Sequence, residues 1–144
     1  MGQKVNPISF RLGFNKEWSS HWYAGKKSFG DFLLEDSRLR DHIKKKFYHT
    51  GISEIKIFRR TPEKVRITIH IARPGLVVGR RGSAIDTLRE ELRELVNREV
   101  IIDIVDVKIP ELNAQLVAEN VAQQLERRIS FRRACKRAMA DTLA

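Results

Sequence analysis

The stretch Leu-Val-Val-Gly-Arg-Arg-Gly-Ser-Ala-Ile at residues 76–85 decides the fold of this chain. An apolar segment leads into the turn Gly79-Arg80-Arg81-Gly82, and an amphipathic segment leads out of it. Glycine at both ends permits positive φ and lets a ligand approach the backbone closely. The start of the following helix offers unpaired N–H groups, and two arginines suit phosphate oxygens. The pattern predicts a clamp for a sugar-phosphate backbone, which we call the GXXG loop; a plain helix-connecting turn with exposed charges is the alternative.

The distribution of charge along the chain predicts a polyanionic partner. The formal net charge is +10, from 28 Lys and Arg against 18 Asp and Glu in 144 residues. Residues 1–28 carry five bases and one acid, residues 127–144 carry six bases and one acid, and residues 29–126 carry 17 bases and 16 acids. Because the excess lies at the two ends, we interpret both ends as electrostatic arms.

Several classes of protein are disfavoured by what the sequence lacks. The single cysteine, Cys135, cannot form an internal disulfide or a cysteine-rich zinc site, and it indicates a reducing compartment. No apolar run approaches the length of a membrane span, and no signal peptide is visible. The four histidines lack metal-ligand or triad spacing, and no nucleotide-binding loop of the Gly-x4-Gly-Lys-Ser/Thr type occurs. We expect no enzymatic activity, catalytic residue, metal, cofactor, small-molecule substrate or membrane partner.

Apolar periodicity predicts an α+β domain with a small three-stranded sheet and helices packed on one face. Residues 31–48 have helical spacing, and Gly51 ends that helix. Ser53–Arg59 and Lys64–Ala72 alternate as a strand pair, and Val100–Val107 is the third strand. One helical turn is expected before the GXXG loop, with Ser83 capping the helix that follows. The expected apolar stripes comprise Phe32, Leu33, Leu39, Ile43 and Phe47, and then Ile85, Leu88, Leu92, Leu95 and Val96.

The two ends are predicted to differ from the core at residues 31–110. Residues 1–30 are expected to form an irregular arm whose aromatic residues either stack on RNA bases or anchor the arm to its own domain. Residues 111–144 are expected to form two helices, the first capped by Asn113, with a break near Ser130. The second helix is basic on one side, and a generic solvated helix is the alternative. Arg132 shares one ribbon with Lys136, and Arg133 shares the next with Arg137.

These motifs and their order resemble the type II KH domain. Over essentially all 144 residues, the chain also resembles the N-terminal half of the third protein of the bacterial-type small ribosomal subunit. The matching stretches are Met1–Pro7, Arg11–Gly13, Ile71–Gly75, Val78–Gly82, Pro110–Leu112, Gln124–Arg128 and Phe131–Ala134.

The resemblance implies a structural constituent of the small subunit that binds ribosomal RNA in the head. It also implies contact with incoming mRNA at the entry tunnel, where the protein helps to hold and unwind the strand. Further implied partners are neighbouring head proteins, and the implied location is the ribosome of a cytoplasm or an organelle. The residues expected to bind RNA are Gly79, Arg80, Arg81, Gly82, Lys4, Arg11, Arg127, Arg128, Arg132, Arg133, Lys136 and Arg137.

Two expectations concern the limits of this resemblance. The family continues into a second α/β domain, whereas this sequence stops at Ala144 without a helix stop signal, so the C-terminal helices are expected to lead toward a domain that is missing here. The alternative function is a free-standing KH RNA chaperone or ribosome assembly factor. A duplex-DNA binder is a weaker alternative, because GXXG turns do not enter the major groove.

Overall fold

Alternating apolar residues in the middle of the chain build a four-stranded sheet with the order β1-β2-β3-β4. The computed structural model describes residues 2–79 and 82–143. Strands β2 and β3 are antiparallel and are joined by a turn at residues 62–63, whereas β1 pairs parallel with β2 and β4 pairs parallel with β3. The strands are β1 at Ser20–His21, β2 at Ile52–Thr61, β3 at Lys64–Ile71 and β4 at Glu99–Asp106.

Six helices accompany the sheet in the described part of the chain. They are α1 at Pro7–Arg11, α2 at Lys26–Lys46, α3 at Pro74–Val78, α4 at Ser83–Val96, α5 at Ala114–Glu126 and α6 at Phe131–Leu143. Short 3-10 turns lie at Tyr48–Thr50 and Pro110–Leu112. One apolar core joins α2, α4 and the inner face of the sheet, and it includes Leu39, Ile43, Ile57, Val65, Ile67, Ile69, Leu88, Leu92 and Val100.

The predicted α+β class, the three core strands and the helices that pack on the sheet are confirmed. The helical turn before the GXXG loop is present as α3, and Asn113 caps α5 by accepting the backbone N–H groups of Gln115 and Leu116 at 3.1 and 3.3 Å. The predicted break near Ser130 separates α5 from α6. Period-2 and period-3.6 patterns therefore located the core elements correctly.

The N-terminal arm is more ordered than predicted. Asn6 accepts the backbone N–H groups of Ile8 and Ser9, and Pro7 occupies the first turn, so a short helix forms where an irregular stretch was expected. Strand β1 adds a fourth strand, and α2 begins at Lys26 instead of residue 31. The prediction of a wholly irregular arm was wrong, because a local cap and distant pairing partners supply the missing hydrogen bonds.

A buried carboxylate holds part of the arm against the core. Asp36 on α2 is 1% exposed and accepts hydrogen bonds from the Ser20 hydroxyl at 2.9 Å and the Trp22 indole at 2.8 Å. The Arg59 guanidinium donates to the same carboxylate at 2.6 and 3.2 Å, and it lies 4.7 Å from the centre of the Phe32 ring. We call Asp36, Arg59, Ser20 and Trp22 the arm lock.

Three local expectations were wrong. Helix α4 begins at Ser83 itself, so Gly82 with φ 83° occupies the cap position that was assigned to Ser83. Leu33 and Leu95 were expected in buried stripes, but they are 54% and 45% exposed. Leu33 follows the buried Phe32, and Leu95 precedes the buried Val96. The contacts of α2 with β2 and of α4 with β4 bury these neighbouring positions instead.

Candidate nucleic-acid interface

The GXXG loop joins α3 and α4, as the sequence predicted. Val77 of α3 is fully buried, which fixes this short helix on the core, and the N–H of Gly79 bonds the Gly75 carbonyl at 3.1 Å. Gly79 and Gly82 both have positive φ, at 68° and 83°. Their predicted companions, Arg80 and Arg81, lie outside the described residues.

Gly79 is required by close packing as well as by backbone angle. With φ 68° and ψ −172° it occupies a region that is essentially restricted to glycine. A Cβ atom at this position would lie 2.9 Å from the Cβ of Ala84, whereas a Cβ at Gly82 would have nothing within 4 Å. The end of α3 and the start of α4 therefore approach as closely as a glycine backbone permits.

Helix α6 presents its predicted basic side to solvent. Ala134 is 0% exposed and turns the helix toward α5 and the 3-10 turn that precedes it. Arg132 and Lys136 each lie two residues from Ala134 in sequence, which is about 200° around a helix and therefore on the outer side. Both are exposed, as are Arg133 and Arg137.

The link between α5 and α6 contributes two more exposed cations, Arg127 and Arg128. Arg128 has φ 61°, its N–H bonds the Leu125 carbonyl at 2.9 Å, and the N–H of Ile129 bonds the Gln124 carbonyl at 3.1 Å. These bonds satisfy the carbonyls at the end of α5 and turn the chain into α6. We call the six predicted cations of residues 127–137 the C-terminal basic segment: Arg127, Arg128, Arg132, Arg133, Lys136 and Arg137.

The C-terminal basic segment differs from the core in how its charges are neutralised. Several core cations have carboxylate partners: Lys46 lies 2.6 Å from Glu91, and Lys44 lies 2.8 Å from Glu119. Within residues 2–79 and 82–143, no ion pair involves any member of the C-terminal basic segment. These six charges are therefore available to an external polyanion.

The predicted N-terminal cations lie on a separate element. Lys4 is exposed before α1, and Arg11 is exposed at the end of α1, where its guanidinium donates to the Pro7 carbonyl at 2.9 Å. The predicted RNA-binding residues thus occupy three places: the arm, the ends of α3 and α4, and the C-terminal basic segment.

The aromatic residues of the arm differ in exposure, and one of them has the anchoring role that the sequence left open. Trp22 anchors the arm, since it bonds Asp36 and its ring lies 5.4 Å from Phe29 and 5.6 Å from Phe32. Four others are exposed to solvent. They are Phe10 at 72%, Phe14 at 92%, Trp18 at 54% and Tyr23 at 95%.

Sequence reasoning missed Asp36 and Arg59, the centre of the arm lock. Asp36 follows Phe32 by four residues and precedes Leu39 by three, so it lies on the buried stripe of α2. A carboxylate on such a stripe indicates a buried partner, because an unpaired charge is too costly to bury. That signal was present, although the partner on β2 could not be named from spacing.

The described residues show neither a metal centre nor a membrane span. They contain no group of three or more His, Cys, Asp or Glu side chains placed to hold a metal ion. In the same part of the chain, no helix has both the length and the apolar character needed to cross a bilayer.

Comparison with known proteins identifies the family. A family model described as a KH domain matches residues 38–112, just over half of the chain. The chain is 54% identical to small ribosomal subunit protein uS3 of Desulfatibacillum aliphaticivorans and 55% identical to that of Desulforudis audaxviator, covering 99% of this chain and 65% of each relative. It is 54% identical to uS3 of Citrifermentans bemidjiense, covering 99% of this chain and 67% of that protein.

These similarities settle the general class of the protein. The first two of these relatives extend well beyond the matched region, since the chain spans about two thirds of their length. All three are named as ribosomal proteins, so the prediction that the chain is not an enzyme is confirmed. The chain belongs to the family of small ribosomal subunit protein uS3, and it carries a type II KH domain.

Proposed function

We propose that this chain is a structural constituent of the small ribosomal subunit and that it holds ribosomal RNA mainly through the phosphate backbone. The names of its relatives support its membership of the small ribosomal subunit, and the KH domain supports RNA as its ligand. We further propose that it lies in the head of the subunit, in contact with neighbouring head proteins, and that the ribosome it serves is cytoplasmic.

The C-terminal basic segment carries this proposal. Six exposed cations follow one another over 11 residues, and none has a carboxylate partner among the described residues. A folded protein gains little from such self-repelling charge unless a polyanion compensates it. Phosphates spaced along an RNA strand provide that compensation.

The GXXG loop supplies the second proposed contact. Gly82 has open space where a Cβ would lie, so a sugar-phosphate backbone can approach the start of α4 there. We propose that Arg80 and Arg81 add charge-assisted hydrogen bonds to phosphate oxygens. Replacing both with Asp is expected to weaken RNA binding while thermal unfolding stays unchanged; unchanged RNA affinity would exclude the clamp.

The third proposed contact is with mRNA at the entry tunnel. The resemblance implies this role for Arg132, Arg133 and Lys136, and their exposure on the outer side of α6 is compatible with it. In ribosomes, Arg132→Ala with Arg133→Ala is expected to slow passage through structured mRNA more than it reduces subunit assembly. Normal unwinding by the double variant would contradict this assignment.

The salt dependence of RNA binding tests the phosphate contacts directly. Replacing Arg132, Arg133, Lys136 and Arg137 with Gln removes four proposed phosphate contacts, each worth about 0.7 in the slope of log affinity against log salt for single strands. We expect the slope to become shallower by about 3 between about 50 and 200 mM salt. An unchanged slope would refute the proposal.

A matched control removes the same charge from paired cations. Its positions each have a carboxylate partner, and all four are replaced with Gln: Lys44, Lys64, Arg66 and Arg89. This variant is expected to retain most of the slope, because these charges are already neutralised. Co-sedimentation with small subunits at moderate salt then separates a ribosomal constituent from a free-standing RNA chaperone, which would remain unbound.

A further inference from the structure

A cleft of about 870 Å³ lies between the N-terminal arm and the KH core. One wall is the turn at residues 13–18, and the other walls are the beginning of β2 and the start of α5. Its size lies within the range of about 300–1,000 Å³ that is typical of small-ligand sites. We call it the arm cleft. Its lining includes Phe14, Lys16, Trp18, Glu54, Lys56 and Gln115.

The turn that forms the outer wall of the arm cleft is held by its own hydrogen bonds. The Arg11 carbonyl accepts from the N–H groups of Phe14, Asn15 and Lys16 at 3.2–3.3 Å, and the N–H of Gly13 bonds the Lys16 carbonyl at 3.0 Å. Glu17 then joins the turn to β2 through Lys56, at 2.7 Å. The outer wall is therefore a defined structure that is tied to the sheet.

This defined turn leaves aromatic surface facing solvent. Phe14 is 92% exposed and Trp18 is 54% exposed, although Trp22, four residues later, is packed against α2. An ordered turn that holds a phenylalanine in water forgoes the free energy of burying it, and both aromatic side chains line the same cleft. The aromatic wall of the arm cleft therefore presents apolar surface on which a ligand can pack.

The charges of the arm cleft favour a base over a phosphate as that occupant. Lys56 is paired with Glu17, whose pKa is lowered by the hydrogen bond from Lys56, so the interior of the cleft carries no surplus cation. Lys16 is exposed at the rim, and residues 1–28 as a whole carry four more bases than acids. Exposed aromatic side chains beside an exposed lysine match a nucleotide whose base stacks on the turn and whose phosphate lies near Lys16.

We propose that the arm cleft binds one or two unpaired RNA bases, which stack on Phe14 and Trp18 while their phosphates remain near Lys16. This inference rests on the proposed function, because it supplies a base contact to a protein that otherwise holds the backbone. The polar lining, with Glu54, Lys56 and Gln115, suits the edges of a base better than the apolar face of a protein helix.

The test compares a short oligouridine with an abasic oligonucleotide of the same length, bound to the full chain. Phe14→Ala is expected to weaken oligouridine binding by about 5- to 150-fold, the range for losing one aromatic stack. The same variant should bind the abasic oligonucleotide like the wild type, and its salt slope should be unchanged because no phosphate contact is lost. Trp18→Ala should behave in the same way.

Tyr23→Ala is the matched control, since Tyr23 is 95% exposed in the same arm but does not line the arm cleft. It should leave both affinities unchanged.

Wild-type affinity of Phe14→Ala and Trp18→Ala for oligouridine would refute base stacking, even if salt-dependent binding of the wild type upheld the proposed function. If these variants bound RNA normally but were lost from assembled subunits, the cleft would belong to a protein partner and the inference would be wrong. Salt-independent or absent RNA binding by the wild type would overturn the proposed function itself.

Discussion

Removing the carboxylate of Asp36 should destabilise the whole domain and release the arm. This side chain accepts hydrogen bonds from Ser20, from Trp22 and from two nitrogens of Arg59. The Arg59 side chain is 2% exposed, so it cannot recover hydration when its partner is lost. Breaking one partner of a buried pair costs about 3–5 kcal/mol, and we expect Asp36→Ala to lose about 4 kcal/mol.

The magnitude is limited by a remaining partner and is measurable against total stability. Glu35 still lies 2.7 Å from Arg59, so the guanidinium keeps one carboxylate and the loss should not reach the sum of all four hydrogen bonds. A domain of this size has about 5–15 kcal/mol to lose. With a urea m-value of about 2 kcal/mol/M, the unfolding midpoint should fall by about 2 M.

Urea unfolding gives the global loss, and the Trp22 indole N–H signal in NMR gives the local one. That proton should exchange faster with solvent in Asp36→Ala, since its acceptor is gone. Asp103→Ala is the control: its pair with Arg66 is long, at 3.4 Å, and both side chains are about half exposed, so the expected loss is below about 1 kcal/mol. A loss below about 1 kcal/mol for Asp36→Ala as well would refute the reasoning.

Three further outcomes follow from other parts of the structure. Gly79→Ala should destabilise the domain by about 2–5 kcal/mol in urea unfolding, because it adds backbone strain and a clash with Ala84. Gly82→Ala should cost only about 1–2 kcal/mol, because it adds backbone strain alone. Equal losses for the two variants would contradict the close approach of α3 and α4. Glu17 should titrate below its ordinary pKa of 4.5, because the hydrogen bond and the charge of Lys56 favour the carboxylate. The stabilisation from the Glu17–Lys56 pair is therefore fully present above pH 4.5 and is lost as the pH falls through the lowered pKa of Glu17. Carboxyl NMR should show the Glu17 midpoint moving up toward 4.5 in Lys56→Ala, and an unmoved midpoint would exclude the pairing. Asn113→Ala should remove the cap of α5 and cost about 1 kcal/mol, with Asn120→Ala inside that helix as an uncapped comparison that should cost less.

The sequence predicted the core well because its signals are local. Strand β3 alternates strictly between apolar and polar residues, and its burial alternates in the same way. The glycines of the GXXG loop lie between two helices, as their spacing and flanks indicated. Positive charge at the C-terminus also predicted an exposed basic helix, since Lys and Arg are seldom fully buried unless they are paired.

The arm could not be predicted because its structure depends on distant residues. Strand β1 has two residues and exists only by pairing with β2, more than 30 residues later. Trp22 and Tyr23 are adjacent in sequence and similar in chemistry, yet Trp22 is packed while Tyr23 is 95% exposed. Asp36 decides between them, because it offers an acceptor to the indole of Trp22 alone.

The arm lock also determines where the exposed aromatic residues stand on the surface. A two-residue strand has too few ladder bonds to resist slipping along its neighbour, and a slip of one residue would send every side chain to the opposite face. Directional bonds from Ser20 and Trp22 to one buried carboxylate forbid that slip. The buried carboxylate of Asp36, which is closed to any ligand, therefore fixes the register of β1 and with it the position of the aromatic surface beside that strand.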